Sequence, residues 1–358
     1  MSAFARTELE QIDRKMAYNE YFGASLSDDD IIKAINPGRE REETMLIREI
    51  GKTGLMSTEM IFGALPISPL QLGLDPDIGA SLVCKALRSG INHVDAAEGY
   101  RVGPVLERVA KDYGNDFLLS YKSHAATYED MAKSIESVLK LMGREALDVM
   151  YLHAAKEPAL FTKRAGALEC LIDYKKKGLV RAIGVSSHVV PLIHEAAGKE
   201  EIDLVFALLN KAGLGLMGGT SEDLDAALQL AHKNEKGIVA MKVLGGGLLL
   251  TSFIEAINYA RTYPGISAVA LGMVNEKELD INLRIFNGET VDEEELAPVR
   301  HTKKLMINRQ CRGCGDCVSV CPSDALSLVD GNAVVDNTKC LLCGYCNPVC
   351  PNFALRIV

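Results

Sequence analysis

Short apolar runs alternate with amphipathic segments through most of this chain. Apolar runs that end at polar or glycine positions predict strands, and apolar residues spaced three and four apart predict helices of about three turns. The predicted strands are Thr58–Gly63, His93–Asp95, Phe117–Tyr121, Leu147–His153, Ala182–Ser186, Leu204–Leu208, Ile238–Val243 and Ala268–Gly272. The predicted helices are Asp77–Arg88, Val102–Lys111, Tyr128–Met142, Phe161–Lys177, Pro191–Gly198, Ser221–Asn234, Ser252–Tyr263 and Glu276–Phe286. Eight β/α units in about 230 residues predict an α/β fold, a (β/α)8 TIM barrel rather than a doubly wound sheet.

The rest of the chain divides around this barrel. Residues 1–44 are charged and partly amphipathic, and they predict an N-terminal helical extension. The predicted barrel takes residues 45–290, and an acidic linker takes residues 291–299. Residues 300–358 are a predicted second domain, because the composition changes there to a cysteine-rich repeat.

Residues 311–322 and 340–351 each have the spacing C-x2-C-x2-C-x3-C-P. This is the bacterial spacing for iron–sulfur ligands, in which three cysteines wrap one cluster and the fourth reaches the other. The first predicted ligand set is Cys311, Cys314, Cys317 and Cys350, and the second is Cys340, Cys343, Cys346 and Cys321. Zinc and disulfides are the alternative interpretations. Zinc sites generally use two CxxC pairs, and disulfide frameworks belong to short secreted chains.

The two runs also match each other. CRGCGDCVSVCPSDAL aligns with CLLCGYCNPVCPNFAL at every cysteine and at the closing Ala-Leu. This internal repeat resembles a bacterial two-cluster ferredoxin domain. The resemblance implies an α+β, ferredoxin-like fold that holds two [4Fe-4S] clusters and moves electrons one at a time.

The composition is that of an ordinary soluble protein. Its 358 residues are 48% hydrophobic and 24% charged, with a formal net charge of −9. No basic run is interleaved with aromatic residues, so nucleic acid is not an expected partner. The longest apolar stretch, Gly237–Ile254, contains Lys242 and a glycine triplet, so we expect no membrane span. We expect a cytoplasmic protein of a low-oxygen setting, with Cys84 and Cys170 as buried core thiols.

Four polar side chains fall at the ends of consecutive predicted strands, where a TIM barrel places its chemistry. Asp95 ends the second strand, and Tyr100 follows it. Lys122 follows the third strand, and His153 ends the fourth. The segments that contain them are HVDAAEGYRVGPVLE, FLLSYKSHA and DVMYLHAA. With GLVRAIGVSSH and REIGKTGLMSTEMIFGAL, they resemble the aldo/keto reductase family over roughly residues 45–290.

That resemblance implies that these four residues form the family's catalytic tetrad. Elementary acid–base chemistry agrees, because a phenol with a pKa of ~10 exchanges protons poorly near neutrality. We expect the ammonium of Lys122 to lower the pKa of Tyr100, and Asp95 to hold Lys122 charged and oriented. His153 would then hydrogen-bond the substrate oxygen or relay its proton.

The family's nucleotide contacts match this chain only in part. Ser186-Ser187 stands where Ser-Asn commonly holds the nicotinamide amide, and Phe206 stands where a Gln does. The usual Lys, Ser and Arg for the 2′-phosphate are replaced by Gly272, Met273 and Glu278. NADPH is therefore doubtful, while NAD(H) and no nicotinamide both stay open. The remaining candidates for cofactor contact are Ser186, Lys242, Gly245, Gly246 and Asn282.

Some of these candidates have two interpretations. Gly245–Gly247 is either a loop that lets a phosphate approach or a flexible turn. Lys242 either pairs with an anionic substrate group or with a barrel carboxylate. His124 and His188 also fall at strand ends, where they contact substrate and relay protons or serve only as loop residues.

The leading hypothesis is an oxidoreductase that interconverts a carbonyl and an alcohol, with a ferredoxin or another redox protein as electron partner. Without nicotinamide, reduction would go by single electrons, with Tyr100 protonating a ketyl-like intermediate. In a second hypothesis the barrel is an NAD(P)H-dependent aldo/keto reductase whose clusters exchange electrons with an external ferredoxin, and a flavin or stable radical would have to split the electron pair. In a third hypothesis the barrel is not catalytic and the protein is an electron-transfer subunit. Substrate, direction and oligomeric state are open.

Overall fold

The computed structural model describes residues 45–153, 159–292, 294–296, 303–321, 323–340, 346–347 and 349–357. The predicted N-terminal extension over residues 1–44 lies outside these ranges, as do residues 293 and 297–299 of the predicted linker. The barrel and the cysteine-rich segment belong to one compact unit, Thr44–Val358.

A short antiparallel hairpin precedes the barrel, and the sequence analysis missed it. Its strands are β1 (Ile47–Glu49) and β2 (Met56–Thr58). Ile50 and Leu55, which flank the turn, are fully buried in the apolar cluster inside the barrel. The hairpin therefore closes the barrel at the end where the strands begin. The turn holds Gly51 at φ 57°, a conformation that glycine adopts without steric cost.

Eight parallel strands close into a barrel in which neighbours in the chain are neighbours in space. These strands are β3 (Met60–Gly63), β4 (His93–Asp95), β5 (Leu118–Ser123), β6 (Leu147–Leu152), β7 (Val180–Ser187), β8 (Leu204–Leu208), β9 (Gly237–Met241) and β10 (Ala268–Gly272). The helices between them are Pro76–Arg88, Gly103–Asp112, Tyr128–Met142, Leu160–Lys163, Ala165–Lys176, Val190–Gly198, Ser221–Lys233, Phe253–Arg261 and Glu276–Phe286. The predicted (β/α)8 fold is confirmed.

The helix Tyr128–Met142 shows why the spacing of apolar residues predicted the elements. The Thr127 side chain accepts a hydrogen bond from the Asp130 amide at 3.1 Å and so caps the helix. Gly143 ends it in the left-handed conformation at φ 62°. The buried positions recur at three- and four-residue spacing, as a helix packed on a sheet requires. They are Met131, Ser134, Ile135, Val138, Leu139 and Met142.

Several predicted boundaries move in the structure. β5 continues to Ser123, so Lys122 lies within the strand rather than after it. β9 ends at Met241, so Lys242 is the first residue of the loop. The predicted helix Phe161–Lys177 is divided at Arg164. Cys84 and Cys170 are buried in the apolar core, as predicted.

The C-terminal segment forms two small antiparallel sheets. β11 (Leu305–Ile307) pairs with β14 (Leu355–Ile357), and β12 (Leu326–Val329) forms a hairpin with β13 (Asn332–Val335). The hairpin turn is Asp330-Gly331, with both residues at positive φ. That geometry matches the right-handed twist of the strands. A short helix, Asp316–Ser319, follows the first cysteines.

β14 lies against the barrel. The Ile357 amide donates a hydrogen bond to the Gly246 carbonyl at 2.9 Å. A Cβ on Gly247 would stand only 2.4 Å from the Cβ of Ile357, so the close approach of these backbones requires glycine. Lys303, just before β11, donates to Glu278 of the last barrel helix at 2.5 Å. Among the described residues, no helix has the length and apolarity to cross a membrane.

Replacing Lys303 by Met should lower the free energy of unfolding by about 3 kcal/mol, because it leaves the buried Glu278 carboxylate without its cation. The two side chains are only 12% and 6% exposed. The measurement is chemical denaturation under anaerobic conditions. Lys339→Met is the control, since that side chain is 59% exposed and its ammonium lies 3.7 Å from Asp336.

The double variant Lys303→Met/Glu278→Gln should recover much of the loss, because no unpaired charge remains. A double variant as unstable as the single one would contradict this account of the ion pair.

Candidate active site

The structure brings the four predicted tetrad side chains together at the mouth of the barrel. Lys122 is 1% exposed, and its ammonium donates to both oxygens of Asp95 at 2.5 Å. The same ammonium lies 5.0 Å from the ring centroid of Tyr100. The Tyr100 ring meets the His153 ring edge-on, with 5.6 Å between centroids. The parallel register of β4, β5 and β6 places these groups side by side.

Tyr100 differs from the prediction in its acidity. Burial raises the pKa of Tyr100 well above its ordinary value, and the Asp95 carboxylate raises it further. The expectation that Lys122 lowers this pKa is therefore wrong. The physical reason is that Lys122 is held by Asp95, which offsets its charge, while the buried site favours the neutral phenol. Tyr100 is a protonated hydroxyl at neutral pH.

His153 is neutral for a related reason. Burial lowers its pKa well below the ordinary value, and the positive charge of Lys122 lowers it further. His124 stacks on the His153 ring, with centroids 4.4 Å apart. The buried Nδ1 of His153 has no hydrogen-bond partner among the described residues. A neutral imidazole with an unused nitrogen can take up a hydrogen bond from a ligand.

Aromatic rings complete the surroundings of Lys122. Its ammonium lies 5.1 Å from the ring centroid of Phe206 and 6.0 Å from that of Tyr151. Phe206, which stands where the family commonly has a Gln, is 3% exposed and forms part of this wall. An apolar ring at this place cannot hydrogen-bond a carboxamide.

The predicted nucleotide contacts are partly buried and partly taken up by other side chains. Ser186 is buried near the end of β7, and Asn282 is buried with its Oδ1 unpaired among the described residues. Glu278 is held by Lys303, and a Cβ on Gly272 would stand 2.2 Å from the Pro66 side chain. Roles for Ser186 and Asn282 in cofactor binding stay predictions.

The glycine triplet does not have the environment that a phosphate-binding loop requires. The space in front of Gly246 and Gly247 is taken by Arg356 and Ile357 of β14. A Cβ on Gly245 would meet Leu214 at 2.9 Å. The triplet therefore admits the C-terminal strand, which is a third use that the sequence analysis did not weigh. The described residues do not fit a dinucleotide at this loop.

Lys242 and Arg356 lie near each other where the loop after β9 meets β14. Burial lowers the pKa of Lys242 to about 7, and the positive charge of Arg356 lowers it further. Burial also lowers the pKa of Arg356 to about 10. No described carboxylate pairs with either side chain, so the prediction of a barrel carboxylate as partner of Lys242 is not met.

His188 connects this region to the cysteine-rich segment. Its ring meets the Phe353 ring edge-on at 6.1 Å between centroids. His188 is also among the positive charges that lower the pKa of His153, so it lies near the tetrad. Sequence analysis missed Phe353 and Arg356, because nothing in the cysteine pattern tells which of its turns faces the barrel.

The cysteines of the first predicted ligand set surround one cavity. Its lining includes Cys311, Cys314, Cys317 and Cys350, which are three residues of the first run and one of the second. Burial raises the pKa of Cys317, and the other three thiolates raise it further because like charges repel. No described His, Cys, Asp or Glu side chains gather in threes around a single ion. The four cysteines enclose a space instead, which suits a cluster.

Backbone amides point at the thiolates in the same way in both runs. Ala325 donates to the Cys321 sulfur at 3.3 Å, and Ala354 donates to the Cys350 sulfur at 3.3 Å. Such hydrogen bonds stabilise thiolate ligands and tune cluster potential. In the second predicted set, Cys343 lies outside the described residues. The donor set of the described cysteines fits iron–sulfur clusters.

Several known proteins resemble this chain in sequence or in fold. A D-threo-aldose 1-dehydrogenase from a Pseudomonas species is 27% identical over 185 residues, which span 51% of this chain but only 55% of that protein. The NADH-specific methylglyoxal reductase of Escherichia coli is 23% identical over 224 residues, or 53% of this chain and 68% of that one. The aldo-keto reductase AKR11C1 from Bacillus halodurans has a similar fold, with a TM-score of 0.57 at 17% identity. That match covers 72% of this chain and 96% of the other.

Two family models match the chain in sequence. Residues 310–354 match the 4Fe-4S dicluster domain. Residues 59–262 match the aldo/keto reductase family, which takes in most of the barrel and all four tetrad residues. This protein therefore belongs to the aldo/keto reductase family and carries a 4Fe-4S dicluster domain at its C-terminus.

Proposed function

We propose that this protein is an iron–sulfur oxidoreductase that interconverts a carbonyl and an alcohol, with electrons exchanged through its C-terminal domain and an external ferredoxin. The contact between Phe353 and His188 is the observation that supports this most. Phe353 stands three residues after the predicted ligand Cys350, and its amide donates to the Cys350 carbonyl at 3.0 Å. His188 follows the last residue of β7, at the mouth of the barrel. One aromatic contact thus joins the cluster cavity to the mouth.

The backbone of Phe353 is strained, which supports a functional role for its side chain. The equivalent residue in the first run is Asp324, and the two adopt the same left-handed conformation, at φ 48° and 49°. Aspartate tolerates this conformation, whereas for a bulky residue it is a true outlier that costs about 1–2 kcal/mol. The chain therefore keeps an aromatic ring at a strained position that faces the barrel.

The tetrad is suited to the reducing direction. When bound, the clusters would supply the two electrons one at a time. Of the two protons that turn a carbonyl into an alcohol, Tyr100 gives the one on oxygen and solvent gives the one on carbon. Because its pKa is raised, Tyr100 stays protonated and can hydrogen-bond the carbonyl oxygen and then protonate it. Lys122 and Asp95 form the buried ion pair beneath it, and neutral His153 fixes the orientation of the substrate oxygen.

A nicotinamide-dependent reductase is the second candidate. The observation in its favour is the buried Oδ1 of Asn282, which has no partner among the described residues and belongs to a predicted cofactor contact. Against it stand Phe206 in the wall around Lys122 and β14 over the glycine triplet.

The deciding experiment uses anaerobically purified full-length protein with its iron and acid-labile sulfide counted. NADH, NADPH and reduced ferredoxin are added separately, and cluster absorbance and EPR are recorded. We expect bleaching by ferredoxin alone. Bleaching by NADH or NADPH would establish the second candidate instead.

Replacing Tyr100 by Phe should reduce turnover by about 10²- to 10⁴-fold, because the proton donor is lost while the ring is kept. Tyr113→Phe is the matched control, since Tyr113 packs against Phe117 away from the mouth. Steady-state kinetics with ferredoxin as reductant measures the effect. Full activity of the Tyr100 variant would favour a non-catalytic electron-transfer subunit.

Replacing Phe353 by Asn should lower the free energy of unfolding by about 2 kcal/mol and leave the protein folded, because the loss of a buried ring outweighs the relief of the left-handed backbone. It should nevertheless slow re-oxidation of the reduced clusters by substrate, because the contact with His188 is lost. Stopped-flow absorbance measures this rate, and a small external oxidant provides the reference rate. Asp324→Asn, in the equivalent turn, should change neither rate. An unchanged substrate-driven rate in the Phe353 variant would refute a role for this contact.

A further inference from the structure

Two cations from different parts of the chain meet at the junction of the barrel and the C-terminal domain. Lys242 begins the loop after β9, and Arg356 is the middle residue of β14. The Arg356 side chain passes 3.3 Å from where a Cβ of Gly246 would stand, within the same loop. It is 6% exposed, and its guanidinium carbon lies over the Phe353 ring, 3.9 Å from the centroid. The pair is therefore next to the contact that leads to the tetrad.

No described carboxylate pairs with Lys242 or Arg356, and the anionic group that acts on Arg356 is the Cys350 thiolate, which raises its pKa. Among the described residues, Arg356 donates a hydrogen bond to the Leu355 carbonyl at 2.7 Å, and its guanidinium has further donors for other acceptors. Buried charges without a partner are costly, and two like charges side by side add to that cost. The lowered pKa values of both groups express the same cost. An anion between them would remove it.

The backbone of Lys242 supplies an independent observation. Lys242 adopts φ 60°, in the left-handed region that is unfavourable for a residue with a long side chain. The same loop has glycines at its other positive-φ positions, Gly245 to Gly247, where this conformation causes no strain. Strained residues of this kind cluster at binding sites, where the side chain has to be presented in one direction.

We propose that Lys242 and Arg356 together bind a carboxylate of the substrate, so that the enzyme acts on oxo acids and their hydroxy acids. The guanidinium fork matches a carboxylate in a bidentate manner, and the ammonium adds a point charge. A dinucleotide phosphate is the other anion to consider, but β14 occupies the loop that would approach it. This proposal rests on the proposed function only for the carbonyl chemistry, because the binding of the acid is measured without turnover.

The test is isothermal titration calorimetry on anaerobic full-length protein with its clusters. The probes are straight-chain 2-oxo acids from glyoxylate to 2-oxoglutarate, together with methyl pyruvate as the neutral partner of pyruvate. We expect at least one acid to bind, with pyruvate at least tenfold tighter than its methyl ester. If no acid binds, or if the ester binds as tightly, the proposal is overturned.

Matched variants separate the site from the stability of the fold. Lys242→Asn keeps a residue that tolerates φ 60°, so the protein should be as stable as the parent while the acid binds about tenfold or more weakly. Arg356→Met should have a similar effect on binding, and Arg356→Lys should recover part of it. Lys339→Met removes an exposed charge from the same domain and should bind the acid normally.

Four other outcomes have distinct meanings. If Lys242→Asn weakens NADH binding but not acid binding, the pair is a dinucleotide site and the proposal fails. If Arg356→Met changes only the cluster EPR signal, Arg356 serves the thiolate of Cys350 and the proposal fails as well. If Tyr100→Phe abolishes turnover but leaves acid binding intact, both the binding site and the proposed function are supported. Acid binding in a protein that never turns over would sustain the site and reject the function.

Discussion

The hydrogen bond from the Ile357 amide to the Gly246 carbonyl fixes the end of the chain at the mouth of the barrel. It is possible only because Gly247 has no side chain, since a Cβ there would overlap Ile357. A loop that in a cofactor-binding barrel would face a ligand is used here to receive a strand. Everything distinctive about the site depends on that contact, because the same strand carries Arg356 and follows the turn of Phe353.

In the proposed reaction the barrel and the cluster domain share a single site, with no diffusible carrier between them. The buried Lys122–Asp95 pair and the protonated Tyr100 are the parts that the family scaffold supplies. In the proposed reaction, electrons reach the tetrad from the C-terminal domain through the edge-on contact of Phe353 with His188. Lys122 is only 1% exposed, and its shielding from water strengthens its interaction with Asp95.

Periodicity and spacing predicted the barrel and the ligand sets because both are local properties. Strand β8 and the helix Tyr128–Met142 were predicted at their observed bounds, since apolar spacing and the cap at Thr127 determine them together. The acidity of Tyr100 was not predictable, because burial outweighs a neighbouring ammonium only once Asp95 is known to hold it. The contact between the glycine triplet and β14 was not predictable either, because β14 lies more than a hundred residues further along the chain.

The two cations at the junction connect ligand binding to docking. Lys242 belongs to the barrel and Arg356 to the strand that docks on it, so an anion held by both binds only to the docked form. A ligand that binds one of two states stabilises that state by mass action. By the same linkage, any change that loosens β14 from the barrel must weaken the binding of the anion, and the coupling is reciprocal. A carboxylate substrate would therefore tighten the contact between Phe353 and His188 at the moment when electrons are needed, and in its absence the repulsion between the two cations opposes docking.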